Sequence, residues 1–177
     1  MSFSRVGSFV SMFVHAKLQH IVASVVFSAI WIGSAFGATT DETIAPAVDL
    51  RADLKALPKN GALILVVASS RGCYQCDAAK QNYLRQIEVD PKYSGRVRVR
   101  ALYLDKQDAV RSMDGAATTH VTQARKLGAV GAPTVLFITK KGKPAVDALV
   151  GGDAAGFYGA YLDRSIASTL AKSKAGG

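Results

Sequence analysis

Ala62-Leu63-Ile64-Leu65-Val66-Val67-Ala68-Ser69-Ser70-Arg71-Gly72-Cys73-Tyr74-Gln75-Cys76 is the stretch on which the fold turns. Its first seven residues form an unbroken aliphatic run rich in β-branched side chains, the pattern of a strand buried on both faces. Ser69 to Gly72 reads as a loop. From Cys73 the period changes, with Cys76, Ala79, Tyr83 and Ile87 recurring every three to four residues, so a helix is expected to about Ile87.

Working outward, Val48, Leu50, Leu54 and Leu57 have helical spacing, and Pro58-Lys59-Asn60-Gly61 stops that helix. On the other side Asp90-Pro91 breaks the cysteine helix. Val97, Val99, Ala101 and Tyr103 then alternate with Arg98, Arg100, Leu102 and Leu104 as a second strand. Asp105 to Thr118 is polar and reads as an irregular insertion. Thr119 to Leu127 reads as a short helix closed by Gly128. Thr134 to Ile138 is a third strand, Lys141-Gly142-Lys143-Pro144 a hairpin turn and Ala145 to Val150 a fourth strand. A last helix runs from Asp153 to about Ala171, with Phe157, Tyr161, Leu162 and Ile166 on its apolar face. This order predicts an α/β fold, a four-stranded mixed sheet with helices on both faces.

The first 37 residues stand apart. Met1 to His20 carries Arg5 and Lys17 and no acid, Ile21 to Ile32 is apolar, and Ala35-Phe36-Gly37 fits a small-x-small cleavage pattern. Those features describe a secretory signal. The apolar run is short for a membrane span, which needs about 20 residues, so cleavage is favoured over retention as an anchor. The expected organisation is a signal peptide over 1–37, a flexible leader over 38–47, one domain over 48–172 and a flexible tail over 173–177. The destination is the periplasm. Cleavage removes two bases and no acid, so the net charge falls from +9 to +7. The remaining bases are scattered without interleaved aromatics, which argues against nucleic-acid binding.

Only two cysteines are present, three residues apart. A bond across so small a loop constrains the unfolded chain little, so a structural role is a weak reason for it. Redox chemistry is a better one. Cys73 sits where loop becomes helix, facing free backbone N–H groups and the positive end of the helix dipole, which favour a thiolate. Arg71 stands two residues earlier. Cys76 lies one turn further in on the same side, placed to attack a mixed disulfide formed at Cys73. Cys73 is thus the expected nucleophile and Cys76 the resolving thiol. Zinc needs about four ligands, which are not at hand. A Cu(I) carrier using Cys73, Cys76 and His120 is the rival reading, since soft thiolates suit that ion.

These residues resemble the thioredoxin superfamily over about residues 48–171. The resemblance rests on Cys73-x-x-Cys76 after a buried strand and on Gly131-Ala132-Pro133-Thr134 before the third strand. It implies a thioredoxin-like fold, with Pro133 as a cis-proline facing the cysteines and Ala132 as the neighbour whose backbone contacts an extended substrate. The insertion followed by Ala124-Arg125-Lys126-Leu127-Gly128-Ala129-Val130 is similar to exported thioredoxin-like proteins, including those of bacterial sulfur-oxidation (Sox) systems. That similarity implies a reductase that keeps a carrier-protein cysteine active, fed by a membrane electron donor. The chain departs from cytosolic thioredoxins in two ways. It has Gly72-Cys73-Tyr74-Gln75-Cys76 where they have Trp-Cys-Gly-Pro-Cys, and Val67 where they bury an aspartate.

The expected protein is therefore a periplasmic thiol:disulfide oxidoreductase that reduces protein disulfides or keeps a carrier-protein cysteine active; the alternatives are a Cu(I) carrier and a disulfide-forming oxidase. Its substrate is a protein thiol or disulfide. No bound cofactor or resident metal is expected, because the redox group is the cysteine pair itself, and a monomer is expected.

Overall fold

The computed structural model describes residues 44–69 and 71–176. The expected signal over 1–37, and the leader as far as residue 43, lie outside the described residues. Helix α1 (Leu50–Ala56) is capped at its start by Asp49, whose carboxylate accepts from Ala52 N at 2.8 Å. Its last carbonyls, those of Leu54, Lys55 and Leu57, accept from the Lys140 ammonium, a cation at the negative end of the dipole. Strand β1 (Ala62–Ala68) follows, buried at every position. Helix α2 (Tyr74–Asn82) and a 3-10 turn (Leu84–Gln86) lead to β2 (Val97–Tyr103). The helix expected to reach Ile87 changes form after Asn82. The tighter turn carries Leu84 and Ile87 into the core, three residues apart.

The polar stretch after β2 is not irregular. It contains a hairpin of β3 (Ala109–Arg111) and β4 (Ala117–Thr119), with Val110 buried and Gly115 at φ +94° in the turn. Helix α3 (His120–Lys126) follows directly, capped by Thr119, whose Oγ1 accepts from Thr122 N. Strand β5 (Thr134–Thr139) is as expected, but the fourth strand is shorter. Pro144 makes a single bridge to Ile138, and pairing resumes only at β6 (Leu149–Val150). The bonds on either side of Pro144 are made, Thr139 N donating to Lys143 O and Ala145 N to Phe137 O, so the ladder lapses only after Ala145, before Leu149 meets Val135. Helix α4 (Tyr158–Ala175) starts later than expected, because Gly151 and Gly156 adopt left-handed φ before it, and it runs on to Ala175 before Gly176 caps it. It therefore takes in Ser173 to Ala175, read above as tail. Ile44 to Ala47, read as leader, instead pack on β2: Ala47 N donates to Ala101 O, and Ala101 N to Ala45 O.

The sheet order is β2-β1-β5-β6, with β1 parallel to β2 and antiparallel to β5. Strand β1 divides its side chains between two cores, as strand alternation requires. Ile64, Val66 and Ala68 join Cys76 and Ala79 of α2 and Leu162 and Ile166 of α4. Leu63, Leu65 and Val67 join Leu50 and Leu54 of α1, Val110 of the hairpin and Ala124 of α3. The alternating bases of β2 serve the fold: Arg100 grips the buried Asp53 at 3.0 Å, with Arg98 3.3 Å from the same carboxylate. Among the described residues no helix is long and apolar enough to cross a membrane.

Candidate functional site

The pair lies at the C-terminal end of β1. Gly72 turns the loop at φ +61°, a conformation most side chains resist, and hands the chain to α2. Cys73 is the N-cap of α2, and its sulfur accepts from Cys76 N at 3.2 Å. Cys73 and Cys76 are joined in a disulfide, with Cα atoms 5.2 Å apart. Cys76 is fully buried, whereas Cys73 is only partly covered. The two sulfurs are therefore unequal in access. The Cys73 sulfur faces the helix start, where backbone N–H groups stabilise a negative charge.

Ala132 packs, partly buried, on the same core cluster as Cys76, and the Ala132–Pro133 peptide bond is cis. Pro133 O accepts from Gly151 N at 2.8 Å, which ties this loop to the end of β6. Gly152 lies against Gln75, between the cysteines: a Cβ there would stand 3.2 Å from Gln75 Cβ. Tyr74, Val130 and Val150 are strongly exposed apolar side chains on the elements that meet here.

Two polar arrangements near the pair are absent from the sequence reading. Tyr83 at the end of α2 donates to Asp153 at 2.5 Å, and Asp153 also accepts from Gly156 N. That hydrogen bond raises the Tyr83 phenol above its ordinary range, burial and the Asp153 charge adding to it. It lowers the Asp153 carboxyl in turn. Tyr158 stacks on Tyr83 at 5.1 Å, and burial, followed by the charges of Asp153 and Tyr83, pushes it up to about 12. On the other side Asp105 Oδ2 lies 3.0 Å from Ser69 Oγ and 3.5 Å from Arg71 Nε. A clue to the second was available: an acid just past a strand parallel to β1 must fall beside the loop that leaves β1.

His120 opens α3, is buried and stacks on Tyr103 at 5.5 Å. Among the described residues no three His, Cys, Asp or Glu side chains converge as a metal site, so His120 does not join Cys73 and Cys76 as a third ligand. Val67 lies in the core on the opposite face of the sheet from Cys76, and β1 supplies no acid to either face.

A family model described as Thioredoxin-like domain matches residues 50–163. The chain belongs to the thioredoxin-like family. Among solved structures this thioredoxin-like chain is similar to oxidised mitochondrial thioredoxin 3 of Saccharomyces cerevisiae, at 16% identity over 71% of this chain and 94% of that one, TM-score 0.48. It is also similar to a thioredoxin-fold protein from Helicobacter pylori, at 15% identity over 70% of this chain and 93% of that one, TM-score 0.47. At such identities the likeness concerns the fold alone. No curated protein gives a significant match. A thioredoxin-like fold with a Cys-x-x-Cys disulfide at a helix start supports thiol:disulfide oxidoreductase chemistry in general.

Proposed function

We propose that this protein is an exported thiol:disulfide oxidoreductase that reduces protein disulfides, or keeps the cysteine of a carrier protein reduced, in the periplasm. The observation that carries the chemistry is the inequality of the two sulfurs: Cys73 partly open at the start of α2 and Cys76 wholly buried behind it. In the reduced protein the Cys73 thiolate attacks one sulfur of a substrate disulfide. A mixed disulfide forms and one substrate thiolate leaves. Cys76, losing its proton, then attacks the Cys73 sulfur. The intramolecular disulfide forms, the second substrate thiolate leaves, and the substrate has gained two electrons. A dithiol donor at the membrane restores the pair.

The exposed Tyr74, Val130 and Val150, with the backbone at Ala132, form the surface on which an extended protein segment would lie. Reduction is preferred to oxidation because of the likeness of the insertion and of residues 124–134 to Sox-associated proteins. Export rests on the basic, apolar and small-residue succession of residues 1–37.

Trapping tests the exchange. Cys76→Ala leaves Cys73 without its resolving partner, so a mixed disulfide with the substrate protein accumulates and mass spectrometry identifies it. Absence of any Cys73 adduct in cells making this variant refutes the two-step exchange. A reduction potential near the −120 mV of strong periplasmic oxidants would reverse the proposed direction.

A further inference from the structure

The cysteine pair receives no acid from β1, yet a carboxylate holds the loop that delivers Cys73. Ala68 and Tyr103 pair in the parallel ladder, so the ends of β1 and β2 lie together and Asp105 comes beside Ser69. Ser69 Oγ has Asp105 Oδ2 and Arg71 O both at 3.0 Å, and it accepts from Arg71 N at 3.2 Å. Arg71 Nε lies 3.5 Å from the same Asp105 oxygen. The Asp105 side chain is 17% exposed and that of Arg71 84%, so the carboxylate is the anchored member and the guanidinium the loose one. Cys73 is two residues beyond Arg71, within about 7.6 Å along the Cα trace.

We propose that Asp105 is a positioning residue that sets the redox poise of the cysteine pair, by holding the loop before Cys73 and offsetting the charge of Arg71 there. The proposal rests on the exchange chemistry above. A thiolate at Cys73 already has the Cys76 N–H and the start of α2. A guanidinium so near adds to that stabilisation, and the Asp105 carboxylate subtracts from it. Other charges also stand around the pair, among them Asp153, which accepts from Tyr83 and Gly156 N. Asp77 and Lys80 pair with each other on α2 at 3.0 Å, and the Lys106 ammonium sits over the Tyr103 ring at 4.0 Å. Stabilising the thiolate stabilises the reduced protein and makes the pair more oxidising. Asp105 therefore holds the pair toward the reducing side.

The test uses the full chain, reduced, in four forms: wild type, Asp105→Asn, Arg71→Ala and the double variant. The readouts are the pH profile of Cys73 alkylation by iodoacetamide and the equilibrium constant with glutathione. The asparagine oxygen still accepts from Ser69, so the loop keeps its anchor while the charge is lost. Asp105→Asn moves the alkylation profile to lower pH, with about three- to tenfold more thiolate at a given acidic pH. The glutathione equilibrium moves by the same factor toward the dithiol, about 15–30 mV at 29.6 mV per tenfold. Arg71→Ala, an exposed side chain, moves both the other way, and the double variant returns close to wild type. Shifts of the same sign in the two single variants mean that the loop has merely moved, and overturn the proposal. Unchanged profiles overturn it too. If wild-type Cys73 neither alkylates nor equilibrates with glutathione, the exchange chemistry itself fails, a result separate from either.

Discussion

Gly61 offers a test in which two physical effects oppose each other in sign. It ends the turn between α1 and β1, with its N–H donating to Pro58 O at 2.9 Å. Its φ is not left-handed, so replacing it by alanine should ordinarily stabilise the protein by about 0.4–1 kcal/mol, through loss of freedom in the unfolded chain. The packing argues the reverse. A Cβ would stand 2.9 Å from Leu57 Cβ, 3.0 Å from Pro58 O and 3.1 Å from Arg96 O. Neither oxygen can retreat freely: Pro58 O accepts from Gly61 N, and Arg96 O from Ala62 N at 2.8 Å, the first bond joining β1 to β2. Overpacking of this kind costs about 1–3 kcal/mol. Taking about 2 for the clash and 0.7 for the entropy, Gly61→Ala loses about 1.3 kcal/mol. With a urea slope of about 1.5 kcal/mol/M, the midpoint falls by about 0.9 M while the slope stays the same. Gly131→Ala is the control, because nothing lies within 4 Å of its Cβ position and its φ is not left-handed. It should be neutral, or stabilising by up to about 1 kcal/mol. A Gly61→Ala protein as stable as the control would refute the close approach at this corner.

Asp53→Ala removes the buried carboxylate that Arg100 and Arg98 share, leaving Arg100 to Glu88 and to Val99 O. A loss of about 2–3 kcal/mol by urea titration is expected, below the figure for a fully buried pair because Arg98 reaches solvent. Tyr158 titrates near 12 in the folded protein and at its ordinary 10 when unfolded. Both states are neutral below pH 10. Between pH 10 and 12 only the unfolded state loses the proton, so stability falls across that window by about 2–3 kcal/mol. Tyr158→Phe removes this contribution to the alkaline loss, and it is not destabilising at pH 7, because the buried hydroxyl has no hydrogen-bond partner among the described residues. Asp114 is held down to about 2, first by Ser112 and then by Ala116 N and Lys126. Its contribution is complete above the ordinary carboxyl range and is lost as pH falls toward 2, and Asp114→Asn flattens that part of an acid-unfolding profile.

The residues that made the architecture legible were those with one strong period. The run Ala62–Ala68 could be little but a buried strand, and the change of period at Cys73 marked the helix start to within one residue. The hairpin was missed because its strands have three residues each and only Val110 is buried, too short for alternation to register. Its turn dipeptide, Asp114-Gly115, was the readable sign. The fourth strand was overextended because Ala145 to Val150 is apolar enough for pairing, whereas the ladder lapses after Ala145 and resumes only at Leu149. At the site, the cysteines and the Ala132-Pro133 loop could be named from motif spacing. Asp153 could not, because Tyr83 lies 70 residues from it and the two meet only after folding; Asp105, 36 residues from Ser69, had as its sign only the parallel pairing of the two strands whose ends it joins.

Strand β1 works as a party wall, with alternate side chains belonging to different rooms. Leu63, Leu65 and Val67 furnish the side of α1, α3 and the hairpin, while Ile64, Val66 and Ala68 furnish the side that holds Cys76. The packing around α1 can therefore change without touching the side chains that enclose Cys76. The hairpin and α3 are tied more closely to the sulfurs, because Asp105 stands just before the one and the Ala132–Pro133 loop follows the other. Of the furniture on the far side of the wall, α1 is the piece that can be exchanged at least cost to the cysteines.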